Sequence, residues 1–189
     1  MSALERIATL VTIDEYLDGE RKSEVRHEYV AGDVYAMAGA SRTHNIISLN
    51  IANALTGLLR GKRCRAFITD MKVRIHTRDE TIFYYPDVFV SCDPRDTDDY
   101  FSDYPTIIFE VLSPDTARLD QREKRWAYQT LDSLQTYVLV DQFKRELHVW
   151  RRVGEHWETE TLTGKDAVLS IAEPAIELPL SEIYTDTGV

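Results

Sequence analysis

The sequence predicts a mixed α/β or α+β domain folded around one sheet. Two observations predict it. From residue 43 to residue 141 the side-chain patterns run helix, three strands, helix, strand, and hairpin-like segments flank that run on both sides. The chain has 189 residues, 43% of them apolar and 29% charged, which is ordinary for a globular protein and enough for one real core. No internal repeat or low-complexity linker divides it. Residues 1–189 therefore read as one domain, with a helix and hairpin at 12–38, a core at about 43–141, and a C-terminal hairpin at 145–162 followed by a tail.

Each element has a local reason. Thr12 followed by Glu15 is a capping-box pattern, so a short helix starts there. The stretch "HEYVAGDVYAMA" (27–38) reads as a hairpin turning at Ala31-Gly32-Asp33. Thr43 is placed to cap a helix whose apolar face is Ile47, Ile51, Ala54, Leu55 and Leu58, with Gly61 as the stop. "CRAFITDMKVRIH" (64–76) and "TIFYYPDVFVSC" (81–92) read as strands, although Pro86 has no N–H to give a ladder and marks an interruption or an edge. A strand at 107–112, a helix from about Ala117 to Leu131 and a buried strand at 135–141 follow. "RELHVWRR" and "HWETETL" pair around Gly154, and the tail ends in a short segment near Glu182–Tyr184.

Charge narrows the function. A formal net charge of −10 excludes an all-over basic coat for nucleic acid. Local basic clusters remain, at "RGKRCR" (60–65), at Arg118, Arg122, Lys124 and Arg125, and at Arg151 and Arg152, while "DPRDTDDYFSD" reads as a solvated acidic loop. No apolar run approaches the roughly 20 residues of a membrane helix. The N-terminal "MSALERIATLVTIDEY" lacks a basic-then-apolar leader pattern, and the expectation is a cytoplasmic protein with no membrane partner. Cys64 and Cys92 show no CxxC spacing and are expected as small core residues, neither bridged nor metal-bound.

The chemistry gathers on two carboxylates. In "PTIIFEVLSPDT" (105–116), Glu110 interrupts a strand that is otherwise apolar on both faces, where an unpaired carboxylate is costly. Asp87 does the same in "YYPDVFV", and sequential strands usually pair, so the two acids belong together. Each could be satisfied by an arginine or by backbone N–H groups. Two in one apolar pocket would repel unless a cation neutralised them, and a hard divalent ion with oxygen ligands is the natural one. On the next helix Leu119, Trp126, Ala127, Tyr128 and Leu131 span the inward arc, and Lys124 falls within it, as do Asp120 and Glu123; Lys124 is a snorkelling edge residue or a cation reaching the carboxylates. Trp126, Trp150 and Trp157 read as core, and His27, His76, His148 and His156 show no metal-ligand spacing.

"YYPDVFV", "IIFEVLSPDT" and "DQREKRWAYQ", in that order, resemble the PD-(D/E)XK nuclease superfamily. "HEYVAGDVYAMAGASRTHNII", "FITDMKVRI" and "LQTYVLVD" extend the resemblance over nearly the whole chain, to the Uma-type endonuclease-like family. The resemblance implies a restriction-endonuclease-like fold with an αβββαβ core and added hairpins. It implies a divalent-metal-dependent endonuclease acting on nucleic acid, DNA in the first instance, and working as a homodimer. Asp87 would be one ligand of Mg²⁺ or Mn²⁺ and Glu110 the second, with the carbonyl of Val111 beside them. The superfamily lysine normally stands two residues after the acid. Leu112 occupies that place here, and the resemblance transfers the role to Lys124. Glu28 matches an acid of the family pattern, as a third oxygen ligand or a residue at a strand entrance. His44 opens the first long helix, where it would meet phosphate, water or solvent. Asp70 matches another acid, otherwise explained by an ion pair with Lys72 or Arg74. The alternative function is a non-catalytic nuclease-fold module for binding or assembly.

Overall fold

The computed structural model of the protein describes residues 10–112 and 118–189. Helix α1 (Ile13–Glu20) starts where the capping box places it. Thr12 Oγ1 accepts from the Glu15 N–H and the Glu15 carboxylate accepts from the Thr12 N–H. A two-residue turn then joins β1 (His27–Val30) to β2 (Asp33–Ala36). The turn needs positive φ at Ala31 and Gly32, and only glycine fits the second position, because a Cβ there would meet the Leu10 side chain at 2.8 Å.

Helix α2 (Arg42–Leu58) follows, capped by Ser41 rather than Thr43, since it is the Ser41 hydroxyl that accepts the His44 N–H. Its Ile47, Ile51 and Leu55 are fully buried, each contributing about 1.5–3 kcal/mol by leaving water. The strands β3 (Arg65–Ile68), β4 (Lys72–His76), β5 (Thr81–Tyr84) and β6 (Val88–Ser91) come next. The short β7 (Phe101–Ser102) and the longer β8 (Pro105–Val111) precede α3 (Arg118–Gln129) and β9 (Thr136–Val140). The chain ends with β10 (Glu146–Val153), β11 (His156–Thr163), β12 (Val168–Ile171), β13 (Ile176–Pro179) and α4 (Leu180–Ile183).

The expectation of one sheet is corrected. Among the described residues there are two large sheets, ordered β2-β1-β5-β4-β7 and β11-β10-β9-β8-β6-β3, and a small β12-β13 pair. The segments 64–76 and 81–92, each read as a single strand, are both broken. The chain leaves the second sheet at Ile68, turns through Asp70 at φ 94°, and enters the first as β4. It returns through Tyr85-Pro86-Asp87 to the second as β6. Pro86 therefore marks a crossing between sheets, which is why it costs no ladder hydrogen bond. Both large sheets are mixed, since β8–β9 and β4–β7 run parallel among antiparallel neighbours. The elements of the second sheet and its helices, α2-β3-β6-β8-α3-β9 in chain order, carry the αβββαβ core, with β4, β5 and β7 in the first sheet, a nuclease-like α+β architecture.

Three apolar clusters fill the layers. The largest packs α2, α4 and the β12–β13 pair on one face of the second sheet, through residues such as Ile51, Val88, Phe109 and Leu178. A second lies between the sheets and α3, around Tyr84, Phe89, Ile108, Tyr128 and Tyr137. A third, of Tyr16, Tyr29, Phe83 and Phe101, sits under α1. Two expectations fail here. Cys64 and Cys92 continue the antiparallel β3–β6 pair, which brings their Cα atoms to 4.1 Å, and they are joined by a disulfide. Trp126 is 54% exposed, on the outer face of α3 beside Arg122, because Tyr128, two residues on and about 200° round the helix, fills the space between the sheets.

Candidate active site

The register of β6 against β8 decides where the acids go. Val88 faces Phe109 and Phe89 faces Ile108, so residue 87 continues opposite residue 110. Phe109 and Val111 point into the α2 side of the sheet, while Ile108 points to the α3 side. By alternation Glu110, and Asp87 opposite it, share the α3 side. The Asp87 charge acts on Glu110 near the point where the chain crosses between sheets.

Asp87 is held by three groups. Its Oδ2 accepts the Val111 N–H at 2.7 Å and lies 3.2 Å from His44 Nε2 at the start of α2. Its backbone carbonyl accepts the Thr69 N–H at the end of β3. Glu110 Oε1 accepts the Tyr128 hydroxyl at 3.1 Å. Burial pushes the Glu110 carboxyl up to about 8, against the lowering pull of the Lys124 charge; the charges of Asp87 and Glu28 add to the rise, and the Tyr128 bond opposes it. The Tyr128 phenol is itself pushed well above its ordinary range, first by burial and then by the Glu110 charge.

Lys124 points inward as its helical position requires. Its Nζ lies 2.6 Å from Glu28 Oε1 and 5.0 Å over the Tyr84 ring. Glu28 also faces the Tyr85 N–H, at 3.5 Å. Asp87, Glu110, Val111, His44, Lys124 and Glu28, spread over the sequence from 28 to 124, are thus brought into one cluster. Asp70 stays outside it and pairs with Arg26 at 2.8 Å, not with Lys72 or Arg74.

Four further residues belong to the surroundings, and no sequence signal assigns them to the site. Tyr128 was legible only as an inward aromatic. Glu20, nearly fully buried, accepts the Tyr85 hydroxyl at 2.8 Å and the His27 N–H at 3.0 Å, tying α1 and β1 to the segment that carries Asp87. Tyr85 is the other end of that tie. Gln142 bridges Ser41 and Leu112.

Among the described residues no group of three or more His, Cys, Asp or Glu side chains is arranged to hold a metal ion. The expected set is smaller, two carboxylates and one backbone carbonyl. Its chemistry fits a hard divalent cation, because the donors are oxygens and Glu110 is held above its ordinary value in a pocket where burial and two neighbouring acids outweigh one lysine.

The two sheets, the crossing at Pro86 and the clustered acids define a restriction-endonuclease-like α+β protein. A crystal structure described as a putative nuclease belonging to DUF820, from Anabaena variabilis, shares this fold with a TM-score of 0.74 at 20% identity, over 93% of this chain and 98% of that one. The chain belongs to the Uma2 family, described as "Putative restriction endonuclease", whose pattern matches residues 13–181. Two proteins of Synechocystis sp. (strain PCC 6803) are similar. The uncharacterized protein slr1290 is 36% identical over 141 residues, 74% of this chain and 73% of its own, and sll1609 is 30% identical over 167 residues, 86% and 93%.

Proposed function

We propose that the protein is a divalent-metal-dependent endonuclease that hydrolyses phosphodiester bonds in nucleic acid, DNA in the first instance. One observation carries the reading. Asp87 and Glu110 converge on one side of the sheet, with Lys124 close enough for its charge to act on Glu110. The family's description supports the reaction class.

Asp87, Glu110 and the Val111 carbonyl are the groups that would hold Mg²⁺ or Mn²⁺. When bound, such an ion supplies polarisation of a phosphate oxygen and a more acidic water. The chain's own groups do the rest. His44 and the Val111 N–H share Asp87 Oδ2 and so fix which way that carboxylate faces. Tyr128 orients Glu110 through Oε1. Glu28 holds the Lys124 ammonium at the pocket, where it stabilises charge developing on the phosphate or orients the attacking water. The reading takes the chain as one endonuclease-like domain and places it in the cytoplasm. The Cys64–Cys92 bridge lends that compartment no support. No described helix is long and apolar enough to cross a membrane. A homodimer is supported by β2, an edge strand with four exposed residues, Val34 and Tyr35 among them.

The rival reading, a non-catalytic module of the same fold, has one observation in its favour: Lys124 is closed on an acid at 2.6 Å. The test is cleavage of single- and double-stranded oligonucleotides with Mn²⁺, Mg²⁺ or EDTA, in the wild type and Asp87→Ala. Metal-dependent cleavage lost in Asp87→Ala is expected; a wild type that neither binds Mn²⁺ nor cleaves is a scaffold.

A further inference from the structure

Gln142 lies in the connection between β9 and β10, 3% exposed, and both ends of its amide are used. Oε1 accepts the Ser41 hydroxyl at 2.5 Å, across 101 residues of sequence, and Nε2 donates to the Leu112 carbonyl, across 30. Only this orientation works, because the reversed amide would set its oxygen against the Leu112 oxygen. Both partners stand beside a group that touches Asp87. Ser41 caps α2 by accepting the N–H of His44, whose Nε2 meets Asp87 Oδ2. Leu112 follows Val111, whose N–H donates to the same Oδ2. The Leu112 N–H is fixed in turn by the Val140 carbonyl.

We propose that Gln142 is a positioning residue for the metal-binding carboxylate. It locks the start of α2 to the end of β8, so that the His44 imidazole and the Val111 N–H close on the same Asp87 oxygen at a fixed separation. It acts through Ser41 and Leu112. A buried glutamine that merely satisfied two loop groups would contribute stability without caring which groups it joined. This one joins the two segments whose relative position sets the Asp87 geometry, and a misplacement of about 1 Å at such a site costs about a hundredfold in rate.

The kinetic arm of the test rests on the nuclease reading, and the exchange arm does not. Asn, Asp and Ser cap helices about equally well. Ser41→Asn keeps the cap and supplies an N–H for Gln142 Oε1; Ser41→Asp keeps the cap and supplies none. With saturating Mn²⁺ and an oligonucleotide substrate, Ser41→Asp and Gln142→Leu are expected to lower kcat roughly tenfold or more with KM within about twofold, and Ser41→Asn to retain most of kcat. Equal kcat in Ser41→Asn and Ser41→Asp would overturn the proposal, because cap strength would then be all that Ser41 supplies. Hydrogen exchange on the metal-free protein gives the second reading. In Gln142→Leu the His44 and Val111 amides are expected to exchange at least tenfold faster while those of β10 and β11 do not change. Unchanged exchange at both amides, or acceleration spread evenly over the chain, would overturn it even if the wild type proves inactive. A Gln142→Leu chain that fails to fold leaves the decision to the Ser41 pair.

Discussion

Lys124 Nζ and Glu28 Oε1 lie 2.6 Å apart, joining a helix to a strand 96 residues away, with only 15% and 14% of the two side chains exposed. Lys124 is therefore moored on Glu28 while its charge still acts on Glu110. Breaking such a pair leaves a charge uncompensated, which costs about 3 kcal/mol or more in a buried setting. Lys124→Ala is expected to unfold at lower denaturant and to cleave about 10²–10³-fold more slowly. The double variant Lys124→Met with Glu28→Gln is expected to regain the stability but not the activity. Chemical denaturation beside a cleavage assay separates the two effects, and recovery of activity in the double variant would remove Lys124 from the chemistry.

The Glu110 carboxyl gives a pH dependence with a definite sign. Burial raises it from an ordinary 4.5 to about 8, so between those values the folded chain holds a proton that the unfolded chain has released. Stability from this group is fully present below pH 4.5 and is lost as pH rises to about 8. Glu110→Gln is expected to flatten that part of the stability curve. Because metal ligation needs the carboxylate, Mn²⁺ affinity is expected to tighten as pH rises toward the same value, with proton release measurable by calorimetry in buffers of different ionisation enthalpy. Tyr128→Phe removes a bond that favours the ionised form and is expected to move the Mn²⁺ binding curve to higher pH.

His44 holds Asp87 but supplies no oxygen. His44→Ala is expected to keep the fold, since Ser41 still caps α2, and to weaken Mn²⁺ binding less than Asp87→Ala does. Titration of both variants by calorimetry, with cleavage at saturating metal, places His44 as an orienting group if kcat falls while binding persists.

On α3 the outer face provides the control. Arg122 stands over the exposed Trp126 ring, at 5.2 Å, on the solvent side of the helix. Arg122→Ala is expected to change cleavage by far less than Lys124→Ala at fixed salt. A loss as large as that of Lys124→Ala would place the substrate on the outer face of α3.

Much of this was legible in the sequence, and the failures have physical causes. Asp87 and Glu110 could be found because a carboxylate inside an apolar strand is anomalous wherever it occurs, and strand alternation then gives the face. Lys124 could be placed by helical angle. The crossing between two sheets was hidden, because each strand-like run keeps its apolar character on both sides of Asp70 and of Pro86; only the backbone at Asp70 and the missing donor at Pro86 break it. Trp126 misled because aromatic character argues for burial, while Tyr128 had already taken the space. The Cys64–Cys92 bridge depends on the β3–β6 register, which no local pattern encodes. Glu20 and Gln142 act over separations of 65 and 101 residues, and nothing near them in sequence marks them.

Asp87 and Glu110 are proposed to share one metal ion. A crystal structure of the wild type soaked in Mn²⁺ at pH 8 or above tests it directly, with anomalous scattering to identify the ion. One Mn²⁺ is expected, with an oxygen from each of Asp87 and Glu110 and the Val111 carbonyl within about 2.0–2.6 Å. An ion-free pocket under those conditions, with Asp87 still closed on His44 and Glu110 still bonded to Tyr128, would contradict it.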